Sequence, residues 1–233
     1  MRTTSGRDRL GIVFRWPIGI ALVSWRYMWR TTPLHRSEEA GGRPDLPSRV
    51  TGAPQERLQP IDAGTGPMLH RTYAVRIADS TMTPAALIDL VAANMNRASP
   101  EMAVFCRTGG GDRLKCGDEF VVRMPGPWDG PVRVVCREPD SFRLATLEGH
   151  LEAGEIEFRA ARDGDALGFE IESWARAGDW LAALLYNKLR LAKEIQLNMW
   201  SHFCVRVAAL AGGRPRGGVT IRTRWVPWPP PAA

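Results

Sequence analysis

A stripe of apolar residues at three-and-four spacing runs from Leu181 through Leu185, Leu189, Ala192, Ile195, Met199, Phe203 and Val207 to Leu210. That period is helical, and a helix over Trp180–Leu210 is about 45 Å long at 1.5 Å per residue. Gly178-Asp179 introduces it and Gly212-Gly213 stops it. An apolar face of this length has to be buried against something equally long, and the chain just upstream supplies it.

Five segments there, Glu119–Met124, Val132–Arg137, Phe142–Leu147, Glu155–Ala161 and Leu167–Trp174, read as short strands. The stretches between them, PGPWDGP, EPD, GHLEAG and DGD, hold the Gly, Pro and Asp residues that hairpins need. Phe142 and Leu144, Ile156 and Phe158, then Leu167, Phe169 and Ile171 recur at spacing two, so one face of the meander is apolar and asks for a cover. Leu69–Ile77 alternates as an earlier strand, and Ala85–Asn96 reads as a helix with Thr83 as N-cap and Pro84 at its first position. The expected fold class is α+β, a curved antiparallel sheet of about six strands wrapped around a long C-terminal helix.

This domain is assigned to residues 68–213. Residues 37–67, rich in Gly, Pro and charge without a period, read as a flexible linker. Residues 214–233 read as an extended, partly mobile tail with an edge strand at Val219–Val226 before a proline run. Residues 1–36 read as a basic, tryptophan-rich helical segment. Its apolar run Trp16–Trp25 is too short to span a bilayer, which takes about 20 residues. Trp16, Trp25, Arg26, Trp29 and Arg30 mark it as an interface element, against its own domain, a partner, or an anionic membrane surface.

The net charge of +6 raises nucleic acid as a partner, but seven arginines against Asp8 alone stand in residues 1–36, whereas Glu138–Glu172 is acid-rich. Nucleic acid is therefore not expected. Cys106, Cys116, Cys136 and Cys204 include no C-x-x-C pair, and His35, His70, His150 and His202 lack metal-ligand spacing. Reduced thiols, a cytoplasmic location, no metal and no cofactor are expected.

The stretch Thr146–Phe158 carries Thr146, Gly149, His150, Gly154, Glu155 and Phe158 in the pattern T-x-x-G-H-x-x-x-G-E-x-x-F. With Gly117–Arg123, Pro131–Val135 and Ser173–Ala182, it resembles a family known only as domain of unknown function nineteen-ninety. The resemblance implies a START-like, birch-pollen-allergen-like helix-grip layout, in which a curved sheet and one long helix enclose an apolar cavity. It brings no activity with it.

On the residues themselves, His150 and Glu155 flank a turn that brings them within hydrogen-bond reach, with Thr146 and Glu148 on the strand before it. These four are the candidate ligand-binding residues. A structural role in the tight turn competes with that assignment, and no catalytic residue is assigned, since no nucleophile or oxyanion site accompanies them. The leading function is binding of an apolar small molecule or lipid between sheet and helix. The alternatives are an enzyme using His150 and Glu155 as an acid/base pair, and a peripheral membrane or protein-interaction module acting through the N-terminal helix.

Overall fold

The computed structural model describes residues 32–48, 54–101, 103–109, 111, 113–123, 129–178 and 191–230, with residues 191–195 described by their backbone alone. Nine strands are joined in one sheet: β1 (Leu34–Ala40), β2 (Thr65–Ala78), β3 (Val104–Thr108), β4 (Glu119–Arg123), β5 (Gly130–Glu138), β6 (Ser141–Thr146), β7 (Glu152–Asp163), β8 (Ala166–Ala177) and β9 (Arg214–Val226). Their order is β1-β9-β2-β8-β7-β6-β5-β4-β3. Every pair is antiparallel except β1 with β9. Helices α1 (Pro84–Ala93) and α2 (Met95–Ala98) lie between β2 and β3, and α3 (Leu191–Leu210) lies between β8 and β9.

Thr83 caps α1 by accepting the Ala86 N–H at 3.2 Å, with Pro84 at its first position. The helix expected to run on to Asn96 breaks at Asn94, whose φ of −129° leaves the helical region. Asn96 then holds both backbone groups of Phe105 through its side-chain amide and so positions β3, which local alternation had not revealed.

One apolar cluster joins α1 and α3 to the inner faces of β2 through β9, from Val219 and Ile221 at one side to Phe105 at the other. In a flat sheet β9 and β3 would lie roughly 34 Å apart, at about 4.8 Å per strand. The sheet therefore curves around its core. Phe158 sits at the centre, stacked on Phe142 at 4.6 Å and flanked by Trp200 and Phe203 of α3 at 5.6 Å each. Such aromatic contacts add about 1 kcal/mol each beyond simple burial.

Two expectations are corrected. The C-terminal tail is no edge strand: all of Arg214–Val226 lies inside the sheet, between β1 and β2. The stretch assigned to the end of the N-terminal segment and to a flexible linker begins instead with β1 and continues as a strap over the outer face of the sheet. Its bonds come from strand side chains distant in sequence, which local composition does not disclose. Arg133 donates to the Pro54 and Glu56 carbonyls and to Glu119; Arg143 donates to Ser48, Glu155 and Glu157. Arg176 donates to the carbonyls of Ile61 and Gly66. His70 faces Asp45 through Nδ1 at 3.2 Å and Glu172 through Nε2 at 2.7 Å, and stacks on Trp174. Beneath the strap, Ile61, Met68, Trp174 and Val226 form a second, smaller apolar cluster.

Candidate functional site

The structure distributes the four predicted residues among separate surroundings. Thr146 ends β6 and is buried; its Oγ1 accepts the Gly154 N–H at 2.9 Å and donates toward the Gln59 carbonyl at 2.9 Å. Glu148 is exposed, and its backbone N–H bonds to the Arg57 carbonyl at 2.8 Å. His150 folds back onto its own turn, where Nδ1 accepts the Glu152 N–H at 2.9 Å. Burial pushes its imidazole down to about 4, against a smaller opposing pull from the Glu152 carbonyl. Glu155 lies on the outer face beside Trp174 and accepts from Arg143 at 3.2 Å. Burial raises its carboxyl above the ordinary value, while the Arg143 charge pulls the other way.

His150 and Glu155 therefore satisfy different partners, and the expected bond between them is corrected. The turn closes before Glu152, so Glu155 is already inside β7 with its side chain outward. The signature glycines have backbone reasons. Gly149 has φ +93°, and a Cβ at Gly154 would lie 1.9 Å from the Trp174 carbonyl oxygen, so only glycine lets β7 and β8 approach there.

A different set of polar side chains points inward. Leu69, Arg71, Tyr73, Val75 and Ile77 share one parity of β2, the core side, so Arg71 enters the interior and is buried. Its Nε donates to Thr223 Oγ1 on β9 at 3.1 Å and its Nη1 to the Tyr73 hydroxyl at 3.2 Å. Glu152 has the same parity as Ile156 and Phe158 on β7, and Gln196 of α3 donates to both of its carboxylate oxygens at 2.7 Å. Glu152 acts through space on the Tyr73 phenol, so both groups face one region at one end of the interior.

Tyr73 is fully buried, and burial pushes its phenol up to about 12, opposed by the Arg71 charge. It therefore remains a neutral O–H at physiological pH. That oxygen accepts from Arg71, and among the described residues its own proton has no acceptor. A buried donor left without a partner costs about 1–3 kcal/mol, which makes it a place where an incoming oxygen atom gains. Sequence reasoning passed over this cluster, although the signal was present: a charged residue standing on the apolar parity of a strand, once in β2 and once in β7.

Together, a sheet curving over one long helix, two short helices between the first and second strands of that grip, and polar side chains gathered at one end of an apolar interior define a helix-grip α+β protein. The chain belongs to the family described as Domain of unknown function (DUF1990), whose model matches residues 53–209. No curated protein matches the sequence significantly.

Several solved structures are similar in layout. The di-domain ARO/CYC StfQ from the steffimycin biosynthetic pathway has a TM-score of 0.48 at 10% identity, over 65% of this chain and 52% of that one. A protein from Arthrobacter aurescens has a TM-score of 0.43 at 9% identity, over 70% and 92%. The major latex-like protein 151 of Panax ginseng has a TM-score of 0.37 at 14% identity, over 56% and 97%. At these identities and scores no residue, ligand or activity is transferred. The proposed contact residues Trp16, Trp25, Arg26, Trp29 and Arg30 lie outside the described residues. Among the described residues no helix is long and apolar enough to cross a membrane.

Proposed function

We propose that the protein binds a small apolar molecule between the sheet and α3, and that an oxygen atom at one end of this ligand accepts the Tyr73 proton beside Arg71. The supporting observation is that buried phenolic donor, unspent among the described residues, at the polar end of an otherwise apolar interior. Val75, Ile77, Phe142, Phe158, Phe169 and Phe203 would meet the apolar body. Arg71 and Glu152 act on the phenol with opposite sign, so the ligand is defined by the hydrogen bond itself: a ketone, ester or hydroxyl oxygen is an acceptor that a neutral phenol can serve.

The apolar ketone dye 6-propionyl-2-(dimethylamino)naphthalene tests this, because its emission moves to the red when its carbonyl accepts a hydrogen bond. The full chain should bind the dye with a hydrogen-bonded emission. Tyr73→Phe should weaken binding about fivefold, the worth of one neutral hydrogen bond of about 1 kcal/mol, and shift the emission to the blue. Binding and emission unaltered by Tyr73→Phe in a protein that still unfolds cooperatively would refute the site.

A further inference from the structure

On the outer face, away from the strap, β2, β7, β8 and β9 leave a groove of about 410 Å³. Its floor is made by small side chains: Ala74, Ala161, Gly168, Thr72 and Thr220. The register sets them in two pairs, Thr220 beside Ala74 and Ala161 beside Gly168, which meet diagonally because Ala74 pairs with Glu170 and Gly168 with Arg76; Thr72 lies two residues along β2. Strands ordinarily favour bulkier side chains, so Ala74, Gly168 and Ala161 leave a shallow, low bed between the charged side chains that flank them.

The walls are charged. Arg76, Arg159, Arg216 and Arg222 line the groove, against Asp163 and Glu170 as its acids. Arg76 places Nε on Asp163 at 2.6 Å and Arg216 places Nη1 on Asp165 at 2.8 Å, leaving the other donor edge of each guanidinium without a partner among the described residues. Arg159 is committed to Glu170 and Glu172. Arg222, exposed and opposite Thr72, has no ion-pair partner among the described residues. Elsewhere on this face Arg133, Arg143 and Arg176 are each tied to the backbone of the strap. In the groove, cationic donors remain over.

We propose that this groove binds a small organic phosphate carrying a flat ring. The ring lies on the Ala74–Gly168–Ala161 bed, and the phosphate takes Arg222 with the unspent edges of Arg216 and Arg76. A phosphate rather than a single carboxylate matches the site because it carries more charge and enough oxygens to meet more than one guanidinium fork. The volume falls within the roughly 300–1,000 Å³ range of small-molecule sites. The basic N-terminal segment, with seven arginines in residues 1–36, is the wrong charge to fill it.

Adenosine 5′-monophosphate serves as the probe, titrated into the full ¹⁵N-labelled chain with adenosine, inorganic phosphate and phosphatidylglycerol vesicles in parallel. The expected result is saturable amide shifts centred on Thr72, Ala74, Gly168 and Thr220 with the monophosphate, and much weaker ones with adenosine or inorganic phosphate. Arg222→Gln, at an exposed position, should weaken binding about tenfold, the loss of one charge-assisted contact. Tyr73→Phe should leave it unchanged, which separates this site from the interior one. Absence of shifts in the groove, binding unaffected by Arg222→Gln, equal binding of adenosine, or Arg222-dependent binding of vesicles without the monophosphate would each overturn the proposal.

Discussion

A buried histidine whose Nδ1 accepts a backbone N–H can take a second proton only by giving up that bond, and the Glu152 carbonyl 3.1 Å from Nδ1 offsets burial only in part. Unfolded, His150 protonates near its ordinary 6.5; folded, it resists until about 4. Between those values the unfolded state binds the extra proton, so stability falls as pH falls through this window and is fully present above it. The loss is bounded at about 3–4 kcal/mol, from about 1.4 kcal/mol per unit of displacement. His150→Asn retains an acceptor for the Glu152 N–H but cannot titrate. Urea unfolding at pH 5 and pH 7 should therefore differ less for this variant than for the parent, and an unaltered difference would show that the imidazole is not the group responsible. The signature around His150 was legible as a tight turn with obligatory glycines. Its division into an inward Thr146 and an outward Glu155 was not, because side-chain direction depends on where β7 begins.

The same dependence on distant partners governs the strap. Its sequence looks like a linker because its stabilising groups are contributed by the strands of the sheet, β2, β5, β6, β8 and β9 among them. Arg143 is the most connected of these, holding Ser48, Glu155 and Glu157 while its guanidinium lies over the Trp174 ring at 5.1 Å. Replacing it with methionine keeps the volume but leaves two half-buried carboxylates without their cation, and breaking such a pair costs about 3–5 kcal/mol. Arg143→Met should lower stability by that order and open residues 41–48 and 54–63 to limited proteolysis. Protease resistance equal to the parent's would mean that the strap is held by its apolar cluster instead. Acid should loosen the same element. Burial alone would raise Asp45, but the Gly42 N–H and Arg224 outweigh it and hold the carboxyl below 3.8; Glu172 is likewise lowered despite burial, by His70 and Arg159. Their contribution is present above the ordinary carboxylate range and is lost as pH falls below it.

At the scale of the whole molecule, the meander, its inner apolar face and the covering helix over Leu191–Leu210 were legible because each rests on spacing within one short segment; the expected helical residues 180–190 lie outside the described ones. β1 and β9 were not. Their parallel pairing joins residues some 180 positions apart, β1 is polar on both faces, and β9 carries glycines and arginines that suit a tail as well as a strand. The family match ends at residue 209, before β9, yet the last strand supplies Val219 and Ile221 to the main core, Val226 to the cluster beneath the strap, Thr223 to Arg71, and one wall of the outer groove. Three buried aliphatic side chains at about 2 kcal/mol each already rival the 5–15 kcal/mol that holds a typical domain together. Losing β9 also exposes the edge of β2 and strips β1 of the strand it pairs with. A chain ending at Gly213 should therefore show no cooperative thermal transition and should aggregate through its opened edge. Calorimetry on that truncation decides the matter: a transition at the full-length temperature would mean that β9 is an appendage after all and that the grip stands without it.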